Sequence, residues 1–597
     1  MKKIIIYIYS LLIIPISYAQ QASRVQGSPY PVSHIPDTVY LVGLANMTDG
    51  QILAILTLQG MLAKEKPEIY IHMGGGYDTC MQDLSENYGI VFKNTYYSNF
   101  VGLIAHFKNR IGGYYICNVN DSSTNVAISA CALHNNKIAI TPDLVSLMDS
   151  LGIPLEYDVR NLGEHWLFDN YGNMLSTKVA AYQKHEKSLY LGDYSIMANA
   201  FQFYESIDNP LVDSALNRLG NNAVIFGWGD DEYQTITKVS NYGVALHAAD
   251  WIRNLSLLSN MEANIQQHTH PDSVILADNV HTVCFLMSDG DNLNWLINEF
   301  ISQPNWYGSS DRGCCNMGWT ITPALSELMP TVMKYYYDHA SNTPNKQDNF
   351  VASASGTGYI FPNQYLDLNS YATLLNEYMQ KADLRILNIL GSNYDDTYML
   401  PFLQQPNIDA IFYYDYSNYS ALQGAIYTVN GKPVIGARYN FWDGFEDVSS
   451  LSNALNNAST NAYSPDGYSL VVVHAWSRTM SDVKAVVDQL DTNVIVVTPE
   501  EFVERIKYKL GFVPHLNSDI NENYTIWPNP VKNTLFVHND GANAEIQIFS
   551  MSGKLIKTTP LQSHAITTVN ISELVPGIYY AKINNGNNTT IKKVIKL

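Results

Sequence analysis

The chain has 597 residues, with 35 Lys and Arg against 55 Asp and Glu, a formal charge of −20. Hydrophobic residues make up 46% and charged residues 15%, enough apolar material for several large cores and too little charge for a disordered chain. The acidic balance argues against a nucleic-acid-binding surface, which needs clustered Lys and Arg to neutralise phosphates.

The start reads as an address. Met1-Lys2-Lys3 is a positive n-region, Ile4 to Ile16 is nearly all apolar, and Ser17-Tyr18-Ala19 places small residues before a cut at Gln20. This predicts a secretory signal peptide over 1–19 and a leader over 20–37. No later apolar run approaches the length of a membrane span, so no transmembrane segment is expected once the signal is removed.

Residues 38–275 alternate apolar runs with helical patterns. TVYLVGLA, EIYIHMG, GYYICNV, KIAIT and NAVIFGWGDD read as buried strands; QILAILTLQGMLAKE and SSTNVAISACALHN carry helical spacing. The alternation predicts a doubly wound α/β domain with a parallel sheet. Gly74-Gly75-Gly76 lacks the GxGxxG and Walker contexts and reads as a turn. The run Asp230-Asp231-Glu232 falls at a strand's carboxyl end, where open α/β sheets bind ligands, and makes Glu232 a candidate substrate contact.

Residues 276–512 carry eight apolar runs in order: HTVCFLMS, MGWTITP, DNFVASAS, LRILNIL, DAIFYYD, KPVIGAR, YSLVVVHAW and NVIVVTP. Their count and spacing predict a (β/α)8-like barrel, with the register least defined at the sixth run. Barrel chemistry sits in the loops after the strands. Those loops supply Asp289 and Asp291 after the first strand, Tyr359 after the third, and Asp395 and Asp396 after the fourth. Asp415 follows the fifth, Arg438 and Asp443 the sixth, His474 and Trp476 the seventh, and Glu500 and Glu501 the eighth. Asp289 and Asp291 are the strongest pair, because they flank a glycine at the end of the most apolar strand, where a carboxylate is costly unless it binds something.

Glycosidic hydrolysis needs two carboxyl groups, one to protonate the leaving oxygen and one as nucleophile or base. Asp289 or Asp291 is expected to supply one, and Asp395, Asp396, Asp415 or Glu500 the other. Trp476 is the expected stacking platform, Tyr359, His474, Arg438 and Glu232 the expected substrate contacts, and a carbohydrate the expected partner. Two other classes use the same residues. A metal-dependent, polysaccharide-deacetylase-like hydrolase would use Asp289 and Asp291 as base and ligand, although the barrel lacks an HxxxH pair. A non-catalytic glycan-binding protein would only hold the sugar. No cofactor is required, although Asp-Gly-Asp-Asn could hold Ca2+ or Mg2+ through oxygen ligands.

The six cysteines show neither CxxC nor a zinc pattern, so no metal site is expected from them. Cys117 and Cys131 are either a bridge or two buried thiols, and Cys314-Cys315 is an unusual adjacent pair. After a linker at 513–523, residues 524–597 run in short alternating segments with turns at Ser552-Gly553 and Pro576-Gly577, predicting a small all-β sandwich.

Two resemblances follow from these motifs. Trp527-Pro528-Asn529-Pro530, Met551-Ser552-Gly553-Lys554 and Leu574 to Tyr580 resemble the C-terminal sorting domain of the type IX secretion system of Bacteroidetes. This implies export through that machinery and a secreted or outer-membrane surface-attached product. GTGYIFP at 356–362, MSDGDN at 287–292, GWTITP at 318–323, VTPEEF at 497–502 and GWGDDE at 227–232 resemble the GxGYxYP glycoside hydrolase family, with its N-terminal companion domain. The resemblance implies a glycosidase acting on a polysaccharide or host glycan. Phe361 stands where the family signature has its second Tyr.

Overall fold

The computed structural model describes residues 23–267, 277–512, 524–539, 543–550, 554–584 and 589–597. The predicted signal peptide, the linker at 513–523 and the turn at Ser552-Gly553 lie outside the described residues.

The N-terminal region forms three small parallel sheets rather than one doubly wound sheet. Strands β1 (Thr38–Gly43), β2 (Ile69–His72) and β3 (Val91–Lys93) pair in the order β2-β1-β3. Strands β4 (Gly113–Ile116), β5 (Lys137–Ile140) and β6 (Leu155–Asp158) pair as β5-β4-β6. Strands β7 (Val179–Tyr182), β8 (Phe201–Phe203), β9 (Ala223–Gly227) and β10 (Val244–Ala248) pair as β10-β9-β7-β8. The sheets stay separate because their edges are not built to be joined: all four residues of β6 are exposed, and β3 is mostly so. What unites them is the helix Asp49–Ala63, buried at 12 of its 15 positions. A helix apolar on every side has no solvent face and must be enclosed. Gly60 lets it press on the helix Gly192–Met197, where a Cβ would come within 2.5 Å of the Asp193 carbonyl oxygen.

The second region is one large sheet. Its strands are β11 (His281–Met287), β12 (Met317–Ile321), β13 (Asn342–Thr343), β14 (Lys346–Ala352), β15 (Ile386–Gly391), β16 (Ala410–Asp415), β17 (Ile426–Val429), β18 (Lys432–Gly436), β19 (Tyr439–Phe441), β20 (Tyr468–Val473) and β21 (Val494–Val496). The order is β17-β18-β16-β15-β14-β12-β11-β20-β19. All ladders are parallel except the β13–β14 and β17–β18 hairpins. β11, β12, β15, β16 and β20 are buried along their whole length, as strands covered on both faces must be.

The sixth apolar run breaks into β18 and β19, separated only by Ala437 and Arg438. Ala437 N–H donates to Tyr413 O of β16, and Arg438 N–H donates to Leu470 O of β20. One bent segment therefore hands the ladder from the fifth run to the seventh. The eighth run departs from the expected order. β20 pairs directly with β11 over Thr282 to Met287, while β21 pairs with β11 only at His281 to Val283. Since β20 takes one side of β11, β21 and β12 share the other in succession, and β21, three residues long, does not separate the seventh run from the first.

The C-terminal module has two antiparallel sheets: β22 (Tyr524–Trp527), β23 (Thr534–Asn539) and β26 (Ala565–Asn570), and β25 (Leu555–Leu561), β24 (Ala544–Ser550), β27 (Gly577–Asn584) and β28 (Thr589–Lys596). Val537, Ile546, Ile548 and Ile583 belong to their common core. Among the described residues no helix is long and apolar enough to cross a membrane, and all six cysteines are free thiols, including Cys117 and Cys131.

Candidate active site

A cavity of about 940 Å3 opens between the N-terminal sheets and the carboxyl ends of the large sheet. Its lining includes Asp289 and Asp291 from the turn after β11, Glu232 and Trp251 from the third N-terminal sheet, and Tyr359, His474 and Trp476 from strand-end loops.

The turn Ser288 to Asn292 owes its shape to one glycine. A Cβ on Gly290 would come within 1.8 Å of the Thr320 carbonyl oxygen, so only glycine lets the chain lie against β12. The turn is then pinned: Gly290 N–H donates to Thr320 Oγ1 at 3.0 Å, and Thr322 N–H donates to Gly290 O at 2.8 Å. Asp289 occupies the left-handed region, at φ +68°, which Asp tolerates better than most residues. Asp289 Oδ1 accepts the Trp476 indole N–H at 2.7 Å, and Ser288 Oγ–H donates to Oδ2. Asp291 behaves differently. Burial, reinforced by the charges of Asp289 and Glu232, pushes its carboxyl up to about 8.

Glu232 comes from the opposite wall. GWGDDE follows β9, and its three acids do three things. Asp230 pairs with Lys184, Asp231 caps the helix Glu232–Asn241 by accepting Gln234 N–H at 2.8 Å, and Glu232 faces the cavity. Tyr359 O–H donates to Glu232 Oε1 at 2.9 Å. Burial raises the Glu232 carboxyl above its usual range, the charges of Asp289 and Asp231 add to this, and the Tyr359 bond opposes it.

The segment GTGYIFP joins the walls. Tyr359 and Leu246 of β10 exchange backbone bonds, at 2.8 Å and 3.2 Å, in an isolated antiparallel bridge. Gly358 permits the approach, since a Cβ there would lie 3.0 Å from the Leu246 carbonyl oxygen. Phe361 is fully buried against Tyr233, Tyr359 and Tyr416. It does not line the cavity, so the hydroxyl absent here is one that would not have faced a ligand.

Trp476 is 61% exposed, and its ring centroid lies 4.2 Å from that of Trp295. His474 stacks on Trp442 at 3.6 Å, and its Nδ1 shares a hydrogen bond with Ser477 Oγ at 2.9 Å. Burial holds the imidazole below its usual range, against the pull of Asp289 and Asp443.

The remaining expected residues serve the fold. Asp395 caps the helix Asp396–Leu403 by accepting Thr397 N–H at 2.8 Å, and Asp396 accepts the Tyr394 hydroxyl. Both point to solvent. Asp415 is buried but accepts bonds from Asn393 N–H, Ser417 N–H and Ser417 Oγ–H, which bind together the loops after β15 and β16. Arg438 donates to Tyr468 O, Gly424 O and Pro465 O, so it holds the bend between β18 and β19. Glu500 sits in the first turn of the helix Pro499–Leu510, where a negative charge suits the helix dipole. None of these five lines the cavity.

Sequence reasoning had missed Trp251, which is 53% exposed and contributed by the N-terminal region, and Tyr419 on the loop after β16. Trp295 and Trp442 line the cavity as well. An exposed Trp in a mainly buried chain is a signal, but exposure cannot be read from residue type. No group of three or more His, Cys, Asp or Glu side chains among the described residues is arranged to hold a metal.

Comparison with known proteins places the chain. Residues 38–109, 111–175 and 177–260 match the first, second and third N-terminal GxGYxYP domains, one for each small sheet. Residues 279–507 match the "GxGYxYP putative glycoside hydrolase C-terminal domain", and 525–597 the secretion system C-terminal sorting domain. A solved structure of a "putative hydrolase" from Bacteroides thetaiotaomicron VPI-5482 is 32% identical, with a TM-score of 0.75 over 82% of this chain and 98% of that one. An FMN-binding β-glucuronidase from Faecalibacterium prausnitzii L2-6 is 11% identical over 47% of each chain, with a TM-score of 0.15, a likeness too low to carry any argument. No curated protein matches. The chain belongs to the GxGYxYP family and, through its type IX sorting domain, is a secreted or outer-membrane surface-attached protein.

Proposed function

We propose that the protein is a glycosidase that cleaves a polysaccharide or host glycan in the cleft between its two halves. The observation that carries this reading is the convergence of Asp289, Asp291 and Glu232, from two separate regions, on one cavity walled by Trp251, Trp295 and Trp476. Indole and phenol faces pack on the C–H faces of pyranose rings, and carboxyl pairs are what glycosidic cleavage needs.

In this reading the strand ladder from β11 to β20, bridged at Ala437-Arg438, acts as a closed barrel whose mouth is the cleft floor. Asp291, still protonated at neutral pH, donates its proton to the leaving oxygen. Asp289, with the Trp476 N–H and Ser288 O–H aimed at its oxygens, is the partner that attacks the anomeric carbon or activates water. Glu232, steadied by Tyr359, keeps the proton affinity of Asp291 high from the facing wall.

Ca2+ at Asp289 and Asp291 would need six to eight oxygen ligands. Both Asp289 oxygens already accept protein donors, which fits the ion poorly. The test is product formation from a panel of glycans by wild type and by the Asp289→Asn and Asp291→Asn variants. Turnover by wild type that both variants lose is expected, with the thermal midpoint of Asp289→Asn close to that of wild type and that of Asp291→Asn not below it. Full activity in both variants overturns the assignment. Activity that vanishes on chelation and returns with a divalent ion points to the deacetylase-like alternative, and binding without products to a glycan-binding role.

A further inference from the structure

Cys314 and Cys315 differ from the other thiols. Cys80, Cys117, Cys131 and Cys284 are buried one by one, and burial pushes each of them up. Cys314 is partly accessible, and its Sγ lies 3.5 Å from that of its neighbour. The pair ends a turn in which Cys314 N–H donates to Asp311 O at 3.1 Å and Gly313 sits at φ +82°. That turn is held by Arg312, which donates to Tyr307 O, His339 O and Asp348 Oδ2, and by Ser481, which donates to Asp311 Oδ2.

We propose that Cys314 and Cys315 are joined by a vicinal disulfide in the exported protein. The two sulfurs are already in hydrogen-bonding contact on adjacent residues, one within reach of an external partner and the other behind it. The hydrogen bond with Cys315 holds the Cys314 thiol below its usual range, and the Lys484 charge acts in the same direction; that bond and burial push Cys315 up. An accessible thiol whose ionisation is favoured, beside a second thiol in contact with it, is the arrangement thiol–disulfide exchange uses. A sorting domain that sends the chain out of the cell exposes it to the oxidant, a disulfide donor of the extracytoplasmic space. The Cys314 thiolate attacks one sulfur of the donor, forming a mixed disulfide and expelling one donor thiolate. Cys315 then loses its proton and attacks Cys314 Sγ, expelling the second donor thiolate. Two thiols become one disulfide, and the donor, gaining two electrons and two protons, leaves as a dithiol.

A bridge between neighbours closes almost no loop, so little global stabilisation follows. Its effect is local. The same segment carries Trp306, whose indole N–H donates to Ala475 O at 2.9 Å and whose ring centroid lies 4.9 Å from that of Trp295 in the cleft wall. The bond would fasten the turn that supports this wall.

The test uses the mature full chain recovered from the cell surface or medium without reductant, denatured in acid and alkylated. Four of the six cysteines are expected to label, with the Cys314–Cys315 peptide unlabelled and lighter by two hydrogen atoms than the dithiol. Prior reduction should restore labelling of all six. Cys314→Ser and Cys315→Ser should each leave every remaining cysteine reactive. Labelling of all six without reduction overturns the proposal, as does an unlabelled pair that maps to Cys117 and Cys131.

Discussion

Two acidic turns follow buried strands in the same sheet, and the fold uses them in opposite ways. After β15, Asp395 and Asp396 open a helix; after β11, Asp289 and Asp291 face the cleft. Hydrogen bonds from the Thr397 side chain and backbone hold the Asp395 carboxyl below its usual range, while burial pushes Asp291 up to about 8. Equal acidity in the text thus becomes a stabilising cap in one place and a stored proton in the other. The difference lies in the next residues. Thr397 offers its backbone N–H for Asp395 to cap, whereas Gly290 wedges its turn against β12. The helical segment that follows is capped by Asn292, which accepts Asn294 N–H at 3.1 Å, so the carboxyls flanking Gly290 are left to the cleft.

The largest expected effect sharpens this contrast. Asp291→Asn should lower kcat/KM by about a thousandfold or more, the scale of losing a general acid together with its local electrostatics. Wild-type activity should fall as pH rises through about 8, where Asp291 gives up its proton. Stability has its own sign. The unfolded chain ionises Asp291 in the usual carboxylate range, whereas the folded one keeps the proton to about 8, so this group subtracts stability progressively between those limits. Thermal midpoints measured across that range should therefore fall less steeply for Asp291→Asn than for wild type. Parallel slopes would break the assignment of Asp291 as the stored proton.

Glu232→Gln should cost about a hundredfold in kcat and carry a second signature. Because the Glu232 charge helps raise Asp291, its removal should move the alkaline limb of the pH–rate profile to lower pH. A drop in rate with no movement of that limb would mark Glu232 as merely structural. Trp476→Phe keeps an aromatic face but removes the N–H donated to Asp289. The expected loss is about tenfold in kcat/KM, the scale of one hydrogen bond to a charged group, read from initial rates on the best substrate of the panel.

Much of this architecture was legible in the residues. The strands β1, β2, β4, β5 and β9 fall where apolar runs predicted them, and Asp289, Asp291, Tyr359, His474, Trp476 and Glu232 all reach one cavity. What was not legible is long-range. Nothing within KIAIT or TVYLVGLA says that these strands belong to different sheets, since pairing is decided by partners far along the chain. Nor does NVIVVTP reveal that it will sit on β12's side of β11, at the opposite end of that strand, rather than between β20 and β11. Asp415 fails for a related reason. It is as buried as a site residue would be, but the loops around it consume its oxygens.

The smallest expected effect tests the other half of the contrast. Asp395→Ala removes the cap of the helix Asp396–Leu403, whose first turn is exposed and lies outside the cleft. Activity should stay within about twofold of wild type, because no interaction made in the transition state is touched. The thermal midpoint should fall slightly at neutral pH. That difference should shrink as the pH drops through the carboxylate range, since a depressed carboxyl stabilises only while it is ionised and loses its advantage once protonated. The Asp291→Asn comparison has the opposite sign: as pH climbs toward about 8 the variant gains on wild type, whereas Asp395→Ala falls behind wild type as the Asp395 carboxyl of the latter ionises. Two titrations of opposite slope from the same residue type, measured on one protein, separate a capping carboxylate from a buried, proton-holding one without knowledge of the substrate.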